Sequence, residues 1–470
     1  MPITTEQMLN WCRGILGDDP QAPQQPLEAY LAAIPRLTSL ADVPRGTPVL
    51  VRGDVDAKPG ANLGEGDIRL RSMRQTLDFG RQKGWKQIVF GHIGREPDKS
   101  LSKVRARLAE ILGCEVGFVG DWLDPATAAV RPELVEAVRQ LAPGGVLVLE
   151  NVRKYDVERA LWKAKPADLP KLAERLARLA NDLADKVAKV YVHEAFSAGS
   201  LDASSVVVPA AQERVALGLY EAEQFDVQLR DCLAAEMVVF SGLKADKLDD
   251  LEAMINRGKI RLVLTAGSLA MALAKAAAEL QGRDFSLGVA EDPAHGDKPY
   301  FIPRNRIEQA GQMLRAGRAK GIEFVMPADF VLQDARVSTR IGPGDQQFDV
   351  GPATGRLFAD TVTKFIEAHR RTQRVPGPPA VVFYNGVFGM FEDPRFEEGT
   401  RSFMAQLKRM KDAGLKVYIG GGEGGLALEK YGRPDWVTYV FTAGGTVLNA
   451  LGSEPVPYLV ALAMAAKKRD

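Results

Sequence analysis

The sequence predicts an α/β protein made of two doubly wound, Rossmann-like parallel-sheet domains joined by a hinge helix. Three observations carry this reading. The chain has 470 residues, more than a single hydrophobic core usually serves. Short apolar runs recur along it, with helix-length amphipathic segments between them. The runs are apolar at consecutive positions rather than alternate ones, as strands covered by helices on both faces require.

In the first half the runs are VLVRGD (49–54), IVFGH (88–92), GVLVLEN (145–151) and VYVHEAF (190–196). In the second half they are VVFSG (238–242), LVLTAG (262–267), FVMPADF (324–330), AVVFYNG (380–386), VYIGGG (417–422) and YVFTAGG (439–445). Pro209 closes the first set, and LGLYEAEQFDVQLRDCL then reads as one long helix passing between the domains. The expected organisation is an N-terminal extension (1–35), a first domain (36–215), the interdomain helix (216–235), a second domain (236–445) and a C-terminal segment (446–470) that returns to the first domain. Leu169, Leu172, Leu176, Leu179, Leu183 and Val187 recur at helical spacing. With fewer than three full heptads they read as a helix packed on its own sheet rather than a coiled coil. RVPGPP (374–379) reads as a surface loop.

Composition removes several function classes. Lys and Arg number 61 against 60 Asp and Glu, a net charge of +1, so a general nucleic-acid partner is not expected. Cys12, Cys114 and Cys232 are scattered and form no CxxC pair, which suits a reducing compartment. His92, His193, His295 and His369 are too dispersed to suggest a zinc site. The start lacks a signal-peptide pattern, and the most apolar stretch, 262–280, is interrupted by Lys275. A soluble, cytoplasmic monomer without membrane partners is expected.

Ligands of open α/β sheets bind beyond the carboxyl ends of the strands. In the first half those positions hold Asp54 and Asp56, then His92 and Arg95 in GHIGR, then Asn151 and Arg153 in ENVRKY. Arg69, in GDIRLRS, opens the first crossover helix. One such arginine would read as a solvated surface charge. Cationic side chains at consecutive element ends suit a small substrate carrying carboxylate and phosphate, since Arg grips either bidentately.

In the second half the strand ends are glycine-rich: SGLK, TAGS with Gly267, YNGVFG with Asn385, GGGEGG (420–425) and TAGG with Gly445. Glycine lets backbone N–H groups approach a ligand, and a following helix N-terminus favours anions, so a nucleotide is expected here. Lys244 and Lys247 stand at i, i+3 spacing and can share one phosphate chain. Glu423, among the glycine amides, reads either as a Mg²⁺ ligand, direct or through water, or as a carboxylate compensating a helix dipole. No GxxxxGK[ST] loop occurs, and the GxGxxG of Gly420, Gly422 and Gly425 lacks the acid-ended strand that a dinucleotide site needs.

In order along the chain, these segments resemble the phosphoglycerate kinase family from about residue 36 to the end. VLVRGDVDAKP resembles its VLVRxDxNxP, GHIGREP its SHLGRP, VLENVRK its LLENxRF, and HEAFSAGSLDASS its NDAFGxAHRxHxS. SGLKADK resembles GGAKVxDK, DVGPAT (349–354) DIGPxT, YNGVFGMFE WNGPxGxFE, GGGEGG GGGDT, and FTAGGTVLN STGGGAxLE. The resemblance implies Mg²⁺-dependent phosphoryl transfer between ATP and 3-phosphoglycerate, in either direction, by two domains that close about a hinge. It places Asp54, Asp56, Arg69, His92, Arg95 and Arg153 at acceptor positions. It places Lys244, Lys247, Gly267, Asn385, Glu392, Gly420, Gly421, Gly422 and Glu423 on the nucleotide side, with Glu392 where the family holds the ribose.

The sequence departs from the family at specific points. Ser200 and Leu201 replace a His–Arg pair whose Arg helps hold the acceptor's phosphate. Asp56 replaces an Asn near the substrate hydroxyl, and Glu423 and Gly424 replace Asp–Thr. One residue is missing between Lys244 and Lys247, leaving open which lysine reaches the transferred phosphate. The expected chemistry is direct attack of an acceptor carboxylate on the γ-phosphorus. Arg69 and Lys244 then stabilise the transferring group, with the helix starts at Gly421–Gly422 and Gly444–Gly445. Three alternatives stay open: a diverged kinase of another small acid, a non-catalytic nucleotide-binding protein, and a dinucleotide enzyme.

Overall fold

The structure is a computed structural model that describes residues 2–19, 24–57, 67–242, 247–372, 378–452 and 455–468. Lys244 and most of the RVPGPP loop lie outside the described residues. The chain divides into two compact units, Met1–Asp226 with Pro455–Asp470, and Val227–Glu454.

The first unit is built on strands β1 (Pro48–Gly53), β2 (Lys86–Phe90), β3 (Val116–Val119), β4 (Val146–Leu149), β5 (Val190–Glu194) and β6 (Arg214–Leu217). They form one parallel sheet in the order β3-β4-β2-β1-β5-β6. Val49, Val51, Val89, Val148 and Val192 pack into one core cluster. Their neighbours Leu50, Ile88, Leu147 and Tyr191 are equally buried. Both faces of the strands are covered, which is why the runs are continuous rather than alternating. The chain leaves β1 toward β2 on one side and reaches β5 on the other, so the order reverses between β1 and β5 and a crevice opens beyond their carboxyl ends.

The leucine-rich segment is the helix Leu169–Lys186, which buries Leu169, Leu176, Leu179 and Leu183. A helix within the N-terminal extension, Thr5–Ile15, packs on it. This helix is started by a Thr4–Gln7 capping box. Asn181 fixes its approach by bonding both the N–H and the carbonyl of Ile3 at 2.8 Å. The helix Pro457–Lys467 belongs to the same unit and buries Tyr458, Leu459 and Leu462.

The helix expected from Leu217 onward is present without a break over residues 219–232, but it starts two residues later and is not α-helical throughout. Leu217 ends β6, and Gly218 gives its N–H to the His193 carbonyl as an edge-strand continuation. The chain is then α-helical over Leu219–Glu223, π-helical over Gln224–Leu229 and α-helical again over Arg230–Cys232.

The second unit carries β7 (Ala235–Phe240), β8 (Leu262–Thr265), β9 (Glu323–Val325), β10 (Phe330–Leu332), β11 (Val337–Ser338), β12 (Gln347–Val350), β13 (Val381–Asn385), β14 (Lys416–Gly420) and β15 (Tyr439–Val440). Six of them form a parallel sheet ordered β15-β14-β13-β7-β8-β9, and β11-β10-β12 form a small antiparallel sheet. FVMPADF, expected as one strand, is divided between the two sheets: Pro327 follows β9 and Phe330 begins β10. Proline has no N–H to donate to a ladder, so pairing stops there. The reversal of strand order lies between β7 and β13.

Candidate active site

At the β1–β5 crevice of the first unit, Asp54 follows β1 directly and accepts from Ser197 Oγ at 2.7 Å. Burial pushes its carboxyl above the usual range, while Arg69 and Ser197 oppose that shift. Arg69 Nη1 donates to Asp56 Oδ2 at 2.9 Å, and its Nε stands 3.9 Å from Asp54 Oδ1. The other Asp56 oxygen accepts from the Gly94 N–H at 2.8 Å, tying the loop after β1 to the turn after β2. Asn151 joins that turn to the end of β4, accepting from the Ile93 and Arg153 amides and donating to the Lys99 carbonyl.

Behind this layer lies a buried cationic group. His92 Nδ1 is 2.8 Å from Arg52 Nη2. A guanidinium only donates, so the ring accepts there and its proton sits on Nε2. Burial, followed by Arg52, Arg153 and Arg69, holds this histidine well below its usual pKa and therefore neutral. Arg153 Nη1 donates to the Gly94 carbonyl at 2.7 Å, and its Nη2 to both oxygens of Asp202 at 3.1 and 3.3 Å. Arg95 stands exposed on the turn after β2.

The structure thus gathers Asp54, Asp56, Arg69, His92 and Arg153. It adds Arg52, Asp202 and Ser197, which sequence reasoning did not select. A charged residue inside an otherwise apolar strand was the available signal for Arg52. Nothing local marked Asp202.

In the second unit, Asn385 ends β13 and bonds across to β14, its Nδ2 donating to the Gly420 carbonyl at 2.8 Å. Lys247, the first residue of helix Lys247–Asn256, donates to Asn385 Oδ1 at 3.0 Å and to the Ser241 carbonyl at 2.7 Å. Burial lowers the pKa of this ammonium, against the pull of Glu423 and Asp250. The turn after β13 requires glycine: Gly386 has φ +95°, and a Cβ there would lie 2.1 Å from the Ser241 carbonyl oxygen. The turns after β14 and β15 touch through backbone, since a Cβ on Gly444 would lie 2.7 Å from Gly421 Cα.

Gly422 opens the helix Gly422–Tyr431 and Gly444 opens the helix Gly444–Leu451. A Cβ on Gly422 or Gly445 would meet open space, and both residues are exposed in the first turn of their helices, where N–H groups lack intrahelical partners. A cavity of about 260 Å³ is lined by Gly242, Gly267, Phe348, Met390, Glu392 and Glu423, among others. It therefore brings together three of the expected nucleotide-side residues, with apolar walls suited to a planar base.

Among the described residues no three carboxylate, histidine or cysteine side chains converge as a self-contained metal cage. Glu423 is exposed in the first turn of its helix and lines the cavity. One carboxylate beside helix starts able to receive phosphate fits Mg²⁺, which is commonly held by one or two carboxylates together with substrate phosphates and water.

Comparison with known proteins agrees with this picture. The family model described as "Phosphoglycerate kinase" matches residues 40–454. A phosphoglycerate kinase of Desulforapulum autotrophicum is 28% identical over 435 residues, 88% of this chain and 96% of that protein. A cytosolic phosphoglycerate kinase of Triticum aestivum is 28% identical over 438 residues, 89% of this chain and 96% of that one. The solved structure of phosphoglycerate kinase from Coxiella burnetii superposes with a TM-score of 0.65 at 21% identity, covering 92% of this chain and 100% of its own. That of the Pyrococcus horikoshii enzyme has a TM-score of 0.70 at 21% identity, over 93% of this chain and 100% of its own. At that identity the two structures establish the fold alone.

Fold, site and relatives define an α/β kinase, a phosphotransferase whose acceptor is a carboxyl group. The match extends over most of the chain and most of each relative. The chain belongs to the phosphoglycerate kinase family.

Proposed function

We propose that this chain catalyses reversible, Mg²⁺-dependent transfer of a phosphoryl group between ATP and the carboxylate of 3-phosphoglycerate, a reaction of glycolysis and gluconeogenesis carried out in the cytoplasm. The observation that carries the proposal is Arg69. It is held on Asp56 in the loop after β1, in a unit whose crevice gathers guanidinium groups.

The acceptor carboxylate is ionised at neutral pH, so attack on phosphorus requires no general base. His92 is held neutral and serves as a hydrogen-bonding wall rather than a base. Arg69 binds and orients the acceptor and meets charge developing on the transferring group. Asn385 and Lys247 hold the nucleotide-side turns in register. The Gly422 and Gly445 amides at their helix starts donate to phosphate oxygens. Glu423 would hold Mg²⁺, which would supply charge neutralisation for the nucleotide phosphates. Lys244, outside the described residues, is retained as the second proposed cation. Hinge closure is the motion the reaction calls for, because it excludes water from the reacting phosphate.

A coupled assay with ATP, Mg²⁺ and 3-phosphoglycerate tests the reading. ADP release that depends on the acid supports it, and its absence at saturating substrate refutes it. A second reading, a diverged member phosphorylating another small acid, is favoured by Leu201 at the family's arginine position. A screen of carboxylic acids for ADP release decides between them.

A further inference from the structure

We infer that Asp202 is a specificity-determining residue, a built-in counter-anion that occupies the Arg153 guanidinium and so weakens the advantage of a second anionic group on the acceptor. The inference rests on the reading that the first unit binds the acceptor.

Asp202 is fully buried, at 0% exposure. It accepts from Arg153 Nη2 at 3.1 and 3.3 Å and from the Trp162 indole N–H at 2.9 Å. Arg52 Nη2 and His92 Nδ1 lie 3.6 and 3.4 Å from its Oδ2. Trp162 also covers Arg153, whose guanidinium carbon lies 4.7 Å from the ring centre. Arg153 is therefore engaged on three sides, by the Asp202 carboxylate, the Gly94 carbonyl and the indole face.

The neighbouring acid is Glu158, which bonds Ser204 through both oxygens, at 2.8 Å to its N–H and 2.5 Å to its Oγ. Burial, reinforced by the charge of Asp202, pushes Glu158 up to about 8, so it is mostly protonated at neutral pH. The local balance is then Arg52, Arg69 and Arg153 against Asp54, Asp56 and Asp202. The three guanidiniums are matched by three carboxylates before any substrate enters. Leu201, beside Asp202, brings no charge, and on the turn after β2 the exposed cations Arg95 and Lys99 stand beside the exposed acids Glu96 and Asp98. A monoanionic carboxylic acid meets a site of nearly balanced charge. A phosphorylated one must compete with Asp202 for Arg153, and an internal carboxylate competes at high effective concentration.

Calorimetric titration of the full-length protein with 3-phosphoglycerate and with glycerate tests this. For the unaltered protein the two affinities are expected to agree within about tenfold, since a freely available charge-assisted contact contributes roughly 10- to 150-fold. Asp202→Asn is expected to tighten 3-phosphoglycerate at least about tenfold and leave glycerate within about threefold. Nucleotide affinity serves as the check on folding. A preference of about 100-fold or more for 3-phosphoglycerate in the unaltered protein overturns the inference even where the variant does not fold. So does an Asp202→Asn protein that binds both acids equally more weakly, the signature of a merely structural role. Failure of both acids to bind while ATP binds overturns the acceptor reading itself. A marked phosphate preference with normal turnover overturns only the role of Asp202.

Discussion

Arg69 and Asp56 are joined by a 2.9 Å ion pair that draws the first crossover helix onto the loop after β1. Asp56 is simultaneously anchored by the Gly94 amide, so removing the guanidinium leaves the loop tied. Arg69→Ala is expected to lower kcat at least about 100-fold while ATP affinity stays nearly unchanged, as loss of a transition-state contact should. Steady-state kinetics with nucleotide titration measure both, and near-normal turnover removes Arg69 from the mechanism.

Gly386 marks the point where β13 turns away from the sheet. An alanine there takes a positive φ and places its Cβ 2.1 Å from a backbone oxygen that cannot swing aside. Gly386→Ala is expected to destabilise the second unit by roughly 2–3 kcal/mol. Denaturant unfolding followed by a probe in that unit reads the change, and a shift below about 0.5 kcal/mol contradicts the geometry.

Gly444→Ala tests the contact between the two glycine turns. The added methyl forces the β14 and β15 turns apart, because its neighbour is Gly421 backbone. Loss of about tenfold in nucleotide affinity is expected, with acceptor binding unchanged, since misplaced amides forfeit a phosphate contact. Unaltered ATP binding in a folded protein counts against a phosphate site at these turns.

The buried acid Glu158 predicts a pH dependence of stability. Its folded pKa, about 8, lies above the ordinary glutamate value of 4.5. Between those values the folded state binds the extra proton, so this group's contribution to stability falls as pH rises through the window and levels above it. Glu158→Gln removes that contribution. The melting temperature of the variant relative to the unaltered protein is expected to climb from about pH 5 to about pH 8. A pH-independent difference means Glu158 titrates normally.

Much of the fold was legible because burial on both faces leaves continuous apolar runs. Among the described residues four strands were missed; β11 and β12 flank β10 in the small antiparallel sheet, and β3 and β6 are the edges of the first parallel one, where β3 contains Gly117 and is half-exposed over most of its length, and β6 begins with Arg214. Neither carries enough apolar length to rise above a turn. FVMPADF misled for the opposite reason, since its apolar residues serve two sheets on either side of Pro327. At the site, Asp54, Arg69, His92 and Arg153 were readable from their places at strand and helix ends. Trp162 and Glu158 were not, because they sit in a region of short 3₁₀ turns and a loop without periodicity.

By itself the sequence determined the two-sheet α/β class, the glycine turns and the set of side chains at the strand ends. Those features answer to local demands: apolar faces, positive φ and the loss of a donor at proline. Only the tertiary structure decided which charges meet. Asp202 reaches Arg153 across 49 positions, and Arg52 and His92 join them, because the order β4-β2-β1-β5 brings those strand ends side by side. Electrostatic pairing depends on distance in space, and no local pattern encodes it.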